Sequence, residues 1–314
     1  MRVLVTGADG FVGRRLVGAL LAQGHEVTAA CRPGGVSSDR WLGDRSGRAR
    51  VVPLELTDAA SVRAAVSGEP DAVVHLAAIS STSDARRDPG QAWMVNAVGT
   101  AILAEAVAER ANPERIRFLM SSSAEVYGMG PPVPRVESDP LNPITVYAAS
   151  KTAAEVAALA AARRTGLGVM IARAFPHTGA GQASQFVVPA FVQRIRAAQR
   201  AGARTVATGN LDPVRDLLDV RDVVSAYVGL LERGKTGEVY NVARGEGVAI
   251  REVLTRLARL LGAEVEPVPD PVLTRNLDVP YLVGDPTKLG RATGWRPTLT
   301  LDETLRGVID AEAD

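Results

Sequence analysis

Along the first 175 residues, short β-branched apolar runs alternate with longer stretches whose apolar positions recur every three or four residues. The runs Arg2–Thr6, Glu26–Cys31, Val51–Leu56, Ala72–Leu76, Ile116–Ser121 and Gly168–Ala174 read as strands. Between them lie helical patterns such as Val12–Ala22, with Val12, Leu16, Val17 and Leu20 on one face. Strands that are apolar almost throughout are covered on both faces, and most gaps between them suit crossovers rather than hairpins. The pattern predicts a doubly wound α/β domain around a parallel sheet.

After Phe175 the rhythm changes. Residues Pro176–Gln185 read as a loop, followed by a helix over Val188–Gln199, a strand over Leu217–Val220 and a helix over Val223–Leu231. Val239–Val242 reads as a further strand and Ile250–Leu261 as an amphipathic helix, while the proline-rich stretch Glu264–Pro286 should be extended or irregular. The expected organisation is a first domain over 1–175, to which 219–243 returns, and a smaller C-terminal α/β lobe from 176–218 and 244–314.

Composition narrows the possible functions. With 36 Lys+Arg against 35 Asp+Glu in 314 residues, the net charge is +1, so no bulk field favours nucleic acid or an anionic membrane. Neither is expected as a partner. The single cysteine, Cys31, excludes an intrachain disulfide and a cysteine-based metal cage, and three scattered histidines offer no zinc set. No metal site is expected. The N-terminal apolar run is too short for a signal peptide, and no run reaches the ~18 apolar residues of a membrane span. A cytoplasmic protein is expected. Only three of the 36 basic residues are lysines, Lys151, Lys235 and Lys288, so a lysine here can mark a place where arginine does not serve.

Gly7-Ala8-Asp9-Gly10-Phe11-Val12-Gly13 follows the first strand and opens the first helix. Glycines so spaced allow a tight turn, close approach of backbone to a pyrophosphate, and close helix–sheet packing, so this segment points to a dinucleotide and a Rossmann domain. At the end of the second strand stands Arg32, where an NAD site commonly carries a carboxylate for the ribose hydroxyls. A guanidinium pairs with a 2′-phosphate instead, which makes NADP(H) the first expectation and NAD(H) the second.

Tyr147 and Lys151 lie four apart on one helix face. A lysine beside a phenol is expected to lower its pKa and make it a usable acid or base. Ser121-Ser122-Ser123 ends the preceding strand, where hydroxyls can reach a substrate carbonyl.

These residues resemble the extended short-chain dehydrogenase/reductases that act on nucleotide sugars. The resemblance runs through TGADGFVG at 6–13, HLAA at 75–78, NAVGT at 96–100, SSSAEVYG at 121–128, YAASK at 147–151 and the RD…DVRDV stretch at 215–223. HTGAGQ at 177–182 and FVVP at 186–189 look most like the GDP-4-keto-6-deoxy-mannose reductases and the neighbouring GDP-mannose 4,6-dehydratases. Pro176, Ala180 and the Thr274-Arg275-Asn276 run depart from the usual pattern there.

The resemblance implies that Tyr147 exchanges a proton with the sugar oxygen, that Lys151 tunes it and holds the nicotinamide ribose, and that Ser123 hydrogen-bonds the same oxygen. It places Gly7, Gly10, Phe11, Val12, Gly13, Leu76, Ala77 and Ala78 along the cofactor, with Glu55 and Leu56 flanking the adenine. Asn96 either braces the sheet or takes part in catalysis. Arg215 and Arg275 would grip the substrate diphosphate, and Ser81, Thr82 and Gln185 would reach the sugar. Self-association as a homodimer is implied through the helices around Ala92–Arg110 and Tyr147–Arg164, where Ala153, Ala154, Ala157, Ala158 and Ala161 form a close-packing face.

Sugar dehydratases resembling this chain carry an acid between the serine or threonine and the glutamate at this strand end. Here the run is Ser123-Ala124-Glu125, so the position of the base Glu125 is kept and Ala124 has no proton to give. The expected activity is therefore NADP-dependent reduction of a nucleotide-linked 4-keto-6-deoxy-hexose. A dehydratase or epimerase with retained NAD(P) is the alternative, and a non-catalytic cofactor-binding regulator a remote one.

Overall fold

The computed structural model describes residues 1–34, 41–43, 47–274 and 278–312. Its centre is a seven-stranded sheet in the order β11-β6-β5-β4-β1-β2-β3, with every neighbouring pair parallel. The strands are β1 (Arg2–Thr6), β2 (Glu26–Cys31), β3 (Ala49–Pro53), β4 (Ala72–His75), β5 (Arg117–Ser123), β6 (Gly168–Ala174) and, far along the chain, β11 (Val239–Val242). The order reverses between β1 and β4, the switch point where ligands bind in such sheets.

Alternation along the strands feeds two cores. Val3 and Val5 join Leu16, Leu20, Val223 and Tyr227 from helices Phe11–Ala22 and Val220–Arg233 on one face. Leu4 faces the other way, with Leu103, Val107, Phe118, Ala154 and Ala158 from β5 and helices Gly99–Ala108 and Val146–Thr165.

Several boundaries differ from expectation. The third strand is Ala49–Pro53 rather than Val51–Leu56, because pairing with β2 ends at Cys31↔Pro53. Leu54 and Leu56 are still buried, but as turn residues beyond the ladder. The fifth strand runs two residues past Ser121, since Ser122 and Ser123 stay in register with Arg173 and Ala174. Val220 belongs to a helix, which begins there because Asp219 caps it, its carboxylate accepting from the Arg221 N–H at 2.8 Å.

The small strands β7 (His177–Thr178) and β10 (Leu218–Asp219) pair beside the main sheet. A further core gathers Phe191, Val192 and Ile195 from helix Val187–Ala201, Leu254 and Leu257 from helix Ile250–Leu260, and Leu305 and Val308 from helix Leu301–Ala311. Around it lie β8 (Thr205–Thr208), β9 (Val214–Asp216), β12 (Gly247–Ala249), β13 (Glu266–Pro269) and β14 (Tyr281–Leu282). Within the proline-rich stretch β13 and β14 are extended and Pro271–Leu273 forms a 3-10 turn, and β13 accommodates its prolines by pairing only with β8. Asp216, buried, ties this region together by accepting from the N–H groups of Arg244, Gly245 and Gly284. Burial pushes its carboxyl up to about 6 despite those donors.

Helix Val146–Thr165 is pinned to the sheet by charge. Glu155 accepts from Arg173 of β6 at 2.8 Å and from Ser122 of β5 at 2.5 Å, all within the core. Burial works to lower the Arg173 pKa, but the hydrogen bonds and charge of Glu155 carry it above its ordinary value. Of the alanine face expected to meet a partner, Ala154, Ala158 and Ala161 are buried within the chain's own core, while Ala153 and Ala157 stay half-buried. No helix among the described residues is long and apolar enough to cross a membrane.

Breaking a buried pair strands the remaining charge, so Arg173→Met should destabilise the fold by about 3–5 kcal/mol. Paired replacement, Arg173→Met with Glu155→Leu, should cost much less than the sum of the two single changes. Thermal melting of the three variants checks both.

Candidate active site

The glycine turn leaves no space for side chains where the backbone folds on itself. Gly7 has φ +65°, and a Cβ there would lie 2.9 Å from the Ala77 backbone. A Cβ on Gly13 would lie 2.2 Å from the Gly7 carbonyl oxygen. Gly10 caps helix Phe11–Ala22 with no side-chain hydrogen bond, and the first turn carries no acidic residue. The helix N-terminus thus presents N–H groups and a positive dipole end without an internal anion, which fits a dinucleotide pyrophosphate.

Around this turn, Leu76, Ala77 and Ala78 leave β4 half-buried, and the Leu76 and Ala77 N–H groups each donate to Thr6 Oγ1 at 3.2 Å. Phe11 and Val12 are half-buried, and the Phe11 ring lies parallel to His177 with centroids 6.3 Å apart. Arg15 stacks on Phe11 and donates to the Ala180 carbonyl, so the 176–186 loop is fastened beside the glycine turn. Arg32 is exposed just beyond β2. Glu55 accepts from the Thr57 hydroxyl at 2.8 Å, and Leu56 is buried against Gly99.

Tyr147 sits in the first turn of helix Val146–Thr165, whose N-cap Thr145 accepts from the Ala148 N–H at 3.1 Å. Its phenol lies beside Ser123, the last residue of β5, whose hydroxyl favours the ionised form. Burial pushes the phenol pKa up, the Glu125 carboxylate adds to this, and Ser123 partly offsets both. The expected lowering of the phenol pKa by Lys151 is thus not met in this geometry. Lys151 Nζ turns to the sheet and donates to the Ser121 carbonyl at 2.5 Å. Burial lowers the ammonium to about 8, opposed by Glu155 one turn on.

Glu125 lies next to this group and accepts from Thr82 Oγ1 at 3.2 Å and Thr145 Oγ1 at 3.5 Å. Ala124 is buried among Tyr127, Phe175 and Leu282. Ser123, Tyr147, Glu125 and Thr82 therefore meet at one strand end, a hydroxyl–phenol–carboxylate cluster able to exchange a proton with a bound oxygen.

Other candidates are placed differently. Ser81 caps helix Thr82–Arg87 and its hydroxyl is engaged by Asp84. Gln185 is exposed near the end of the 176–186 loop. Arg215, on β9, is largely buried and paired with Asp278. Arg275 lies outside the described residues.

Asn96 braces: its Oδ1 accepts from the Ile79 N–H at 2.8 Å and its Nδ2 donates to Ser150 Oγ at 2.9 Å. It sits in a π-helical turn, Met94–Val98, between helices Pro89–Trp93 and Gly99–Ala108. Thr145 and Ser150 were not singled out from the sequence. The serine lies inside YAASK, and the threonine three residues ahead of Ala148 is an N-cap signal.

The family model for GDP-mannose 4,6 dehydratase matches residues 4–308. A GDP-6-deoxy-D-mannose reductase from Pseudomonas aeruginosa is 34% identical, with 98% of this chain and 96% of that protein covered. A UDP-glucose 4-epimerase from Mycolicibacterium smegmatis is 33% identical over 99% of this chain and 98% of its own. The solved structure of RMD from Pseudomonas aeruginosa complexed with NADPH superposes with a TM-score of 0.83 at 33% identity, covering 99% of this chain and 98% of that one. Matched from end to end in sequence and fold, the chain belongs to the GDP-mannose 4,6-dehydratase family of extended short-chain dehydrogenase/reductases.

Proposed function

We propose that this protein is an NADP-dependent reductase that converts a nucleotide-linked 4-keto-6-deoxy-hexose, of the GDP-4-keto-6-deoxy-mannose type, to the 4-hydroxy deoxysugar. The observation that carries the reading is the end of β5. Ser123 and Glu125 both bear on the Tyr147 phenol, and position 124 between them is a buried alanine. The similarity to a GDP-6-deoxy-D-mannose reductase supports the same direction.

The bound dinucleotide supplies the hydride. Tyr147 delivers a proton to the C4 oxygen while Ser123 donates a hydrogen bond to it, and Lys151, one helical turn on, holds the nicotinamide ribose. Gly7, Gly10 and Gly13 leave room for the pyrophosphate at the helix N-terminus. Phe11, Val12 and Leu76–Ala78 line the cofactor, Glu55 and Leu56 lie toward the adenine, and Arg32 meets the 2′-phosphate. NADP(H) is the first choice, helped by the NADPH complex of the similar RMD, and NAD(H) the second. Ser81, Thr82, Gln185, Arg215 and Arg275 address the nucleotide sugar. In this reading 1–175 with 219–243 hold the dinucleotide, and 176–218 with 244–314 hold the sugar nucleotide.

A dehydratase or epimerase with retained NAD(P) is the second reading, favoured by the presence of Glu125 and by the similarity to a UDP-glucose 4-epimerase. A homodimer is also proposed. Trp93, Met94, Val98 and Val156 are each more than 40% exposed on the two helical segments expected to associate. An NADPH-consuming step suits the cytoplasm.

Tyr147→Phe keeps the ring and removes the proton, so turnover should fall by roughly 10²–10⁴-fold while NADPH binding persists. Steady-state kinetics and fluorescence titration measure the two separately. Arg32→Asp should weaken NADPH by roughly 10- to 100-fold and spare NADH; tighter NADH than NADPH binding by the unaltered protein defeats this assignment. Given the 4-keto-6-deoxy sugar nucleotide, the protein should oxidise NADPH stoichiometrically. Given the parent hexose nucleotide and NADP, it should not release water, and efficient loss of water seen by mass spectrometry transfers the protein to the dehydratases.

A further inference from the structure

Five buried motif side chains take no part in the proton transfer at Tyr147: Thr6, His75, Asn96, Thr100 and Ser150. They form one line of hydrogen bonds, which passes through the Asn96 backbone carbonyl. Thr100 Oγ1 donates its only hydrogen to the Asn96 carbonyl at 2.6 Å, so it accepts from His75 Nε2 at 2.9 Å. On the other side, Thr6 Oγ1 accepts from the Ala77 N–H and shares the Leu76 N–H with its own backbone carbonyl. Its own hydrogen goes to His75 Nδ1 at 2.8 Å. Each atom's capacity is used, and only one arrangement of protons satisfies it: neutral imidazole, protonated at Nε2. A second ring proton would meet a Thr6 oxygen whose lone pairs are already taken.

The surroundings agree. Phe118 covers the ring at 6.2 Å between centroids, and the nearby charge is the Lys151 ammonium. Burial first, and Lys151 second, push the ring down to about 3.

Both ends of the line reach the site. At one end is the Leu76–Ala77 backbone, against which Gly7 packs with no room for a Cβ. At the other, Asn96 holds Ser150, which donates to the Tyr147 carbonyl at 2.8 Å. We propose that His75 is a positioning residue: a permanently neutral, single-tautomer imidazole that sets the spacing between the dinucleotide floor and the helix turn presenting Tyr147. Its effect on turnover rests on the reductase reading, whereas the state of the ring does not.

The ring state is read on the unaltered protein by two-dimensional ¹⁵N–¹H NMR of the histidine side chains. His75 should show the Nε2–H tautomer with no titration between pH 5 and 9; titration in that range, or an Nδ1–H tautomer, overturns the proposal. The spacing role is read on His75→Phe, which fills the site and breaks both bonds. Its kcat should fall by roughly 10- to 100-fold, with KM for the keto sugar little changed.

Adding Thr100→Val removes a buried hydroxyl oxygen that has lost its His75 donor, so the melting temperature should recover part of the way toward the parent while kcat stays low. His75→Gln, with a donor toward Thr100, should regain part of kcat. Full kcat in His75→Phe, or recovery of kcat together with stability in the double variant, makes the residue merely structural. If the parent reduces no keto sugar nucleotide, the reductase reading fails, and the spacing role is decided by NADPH affinity across the same variants: unchanged affinity in His75→Phe defeats it.

Discussion

Parallel pairing sets the terms for everything else in this molecule. Because β1, β4, β5 and β6 run the same way and in register, their carboxyl ends lie side by side on one edge. Thr6, His75 and Ser123 are the last residues of three of those strands, and Ala174 of the fourth. No strand can shift by one residue without exchanging the side chains it sends into the two cores. Groups at that edge thus inherit the rigidity of the core, although they come from positions more than 100 residues apart.

Charge is used inside the fold where it has a partner of fixed geometry. Glu155 and Arg173 satisfy each other and Ser122. Asp222 takes N–H groups from Thr298 and Leu299, just as Asp216 takes those of Arg244, Gly245 and Gly284. In these aspartates the backbone supplies the donors, so each carboxylate fixes a distant loop against its own element at a definite distance. Tyr147 and Lys151 lie among these braces, each shifted by burial toward its uncharged form.

Much of this was legible in the sequence. Apolar periodicity placed the strands and the first helix, because burial on both faces leaves few alternatives to β-branched runs. The glycine turn and the Tyr147–Lys151 pair were readable because their spacing is itself the geometry. Other features were not readable, for specific reasons. Ser122 and Ser123 fall outside the apolar run, yet lie in β5 because partners on β6 and helix Val146–Thr165 satisfy their polarity. The direction of Lys151 depends on a backbone carbonyl, which no residue letter records. The inward turn of Ala154, Ala158 and Ala161 was hidden because alanine suits a sheet contact and a helix contact equally well.

The π-helical turn at Met94–Val98 gives this region an unusual relation to chain length. One residue more than an α-helix needs is accommodated there, and Asn96 reaches Ile79 and Ser150 from that widened turn while Thr100 still meets His75. At 3.6 residues per turn, each residue added to or removed from a helix rotates the remainder of that helix by about 100°. Losing one residue here would regularise the helix and improve its own hydrogen bonding, yet swing either Asn96 or Thr100 off its partner. Length, more than composition, must be kept in this segment.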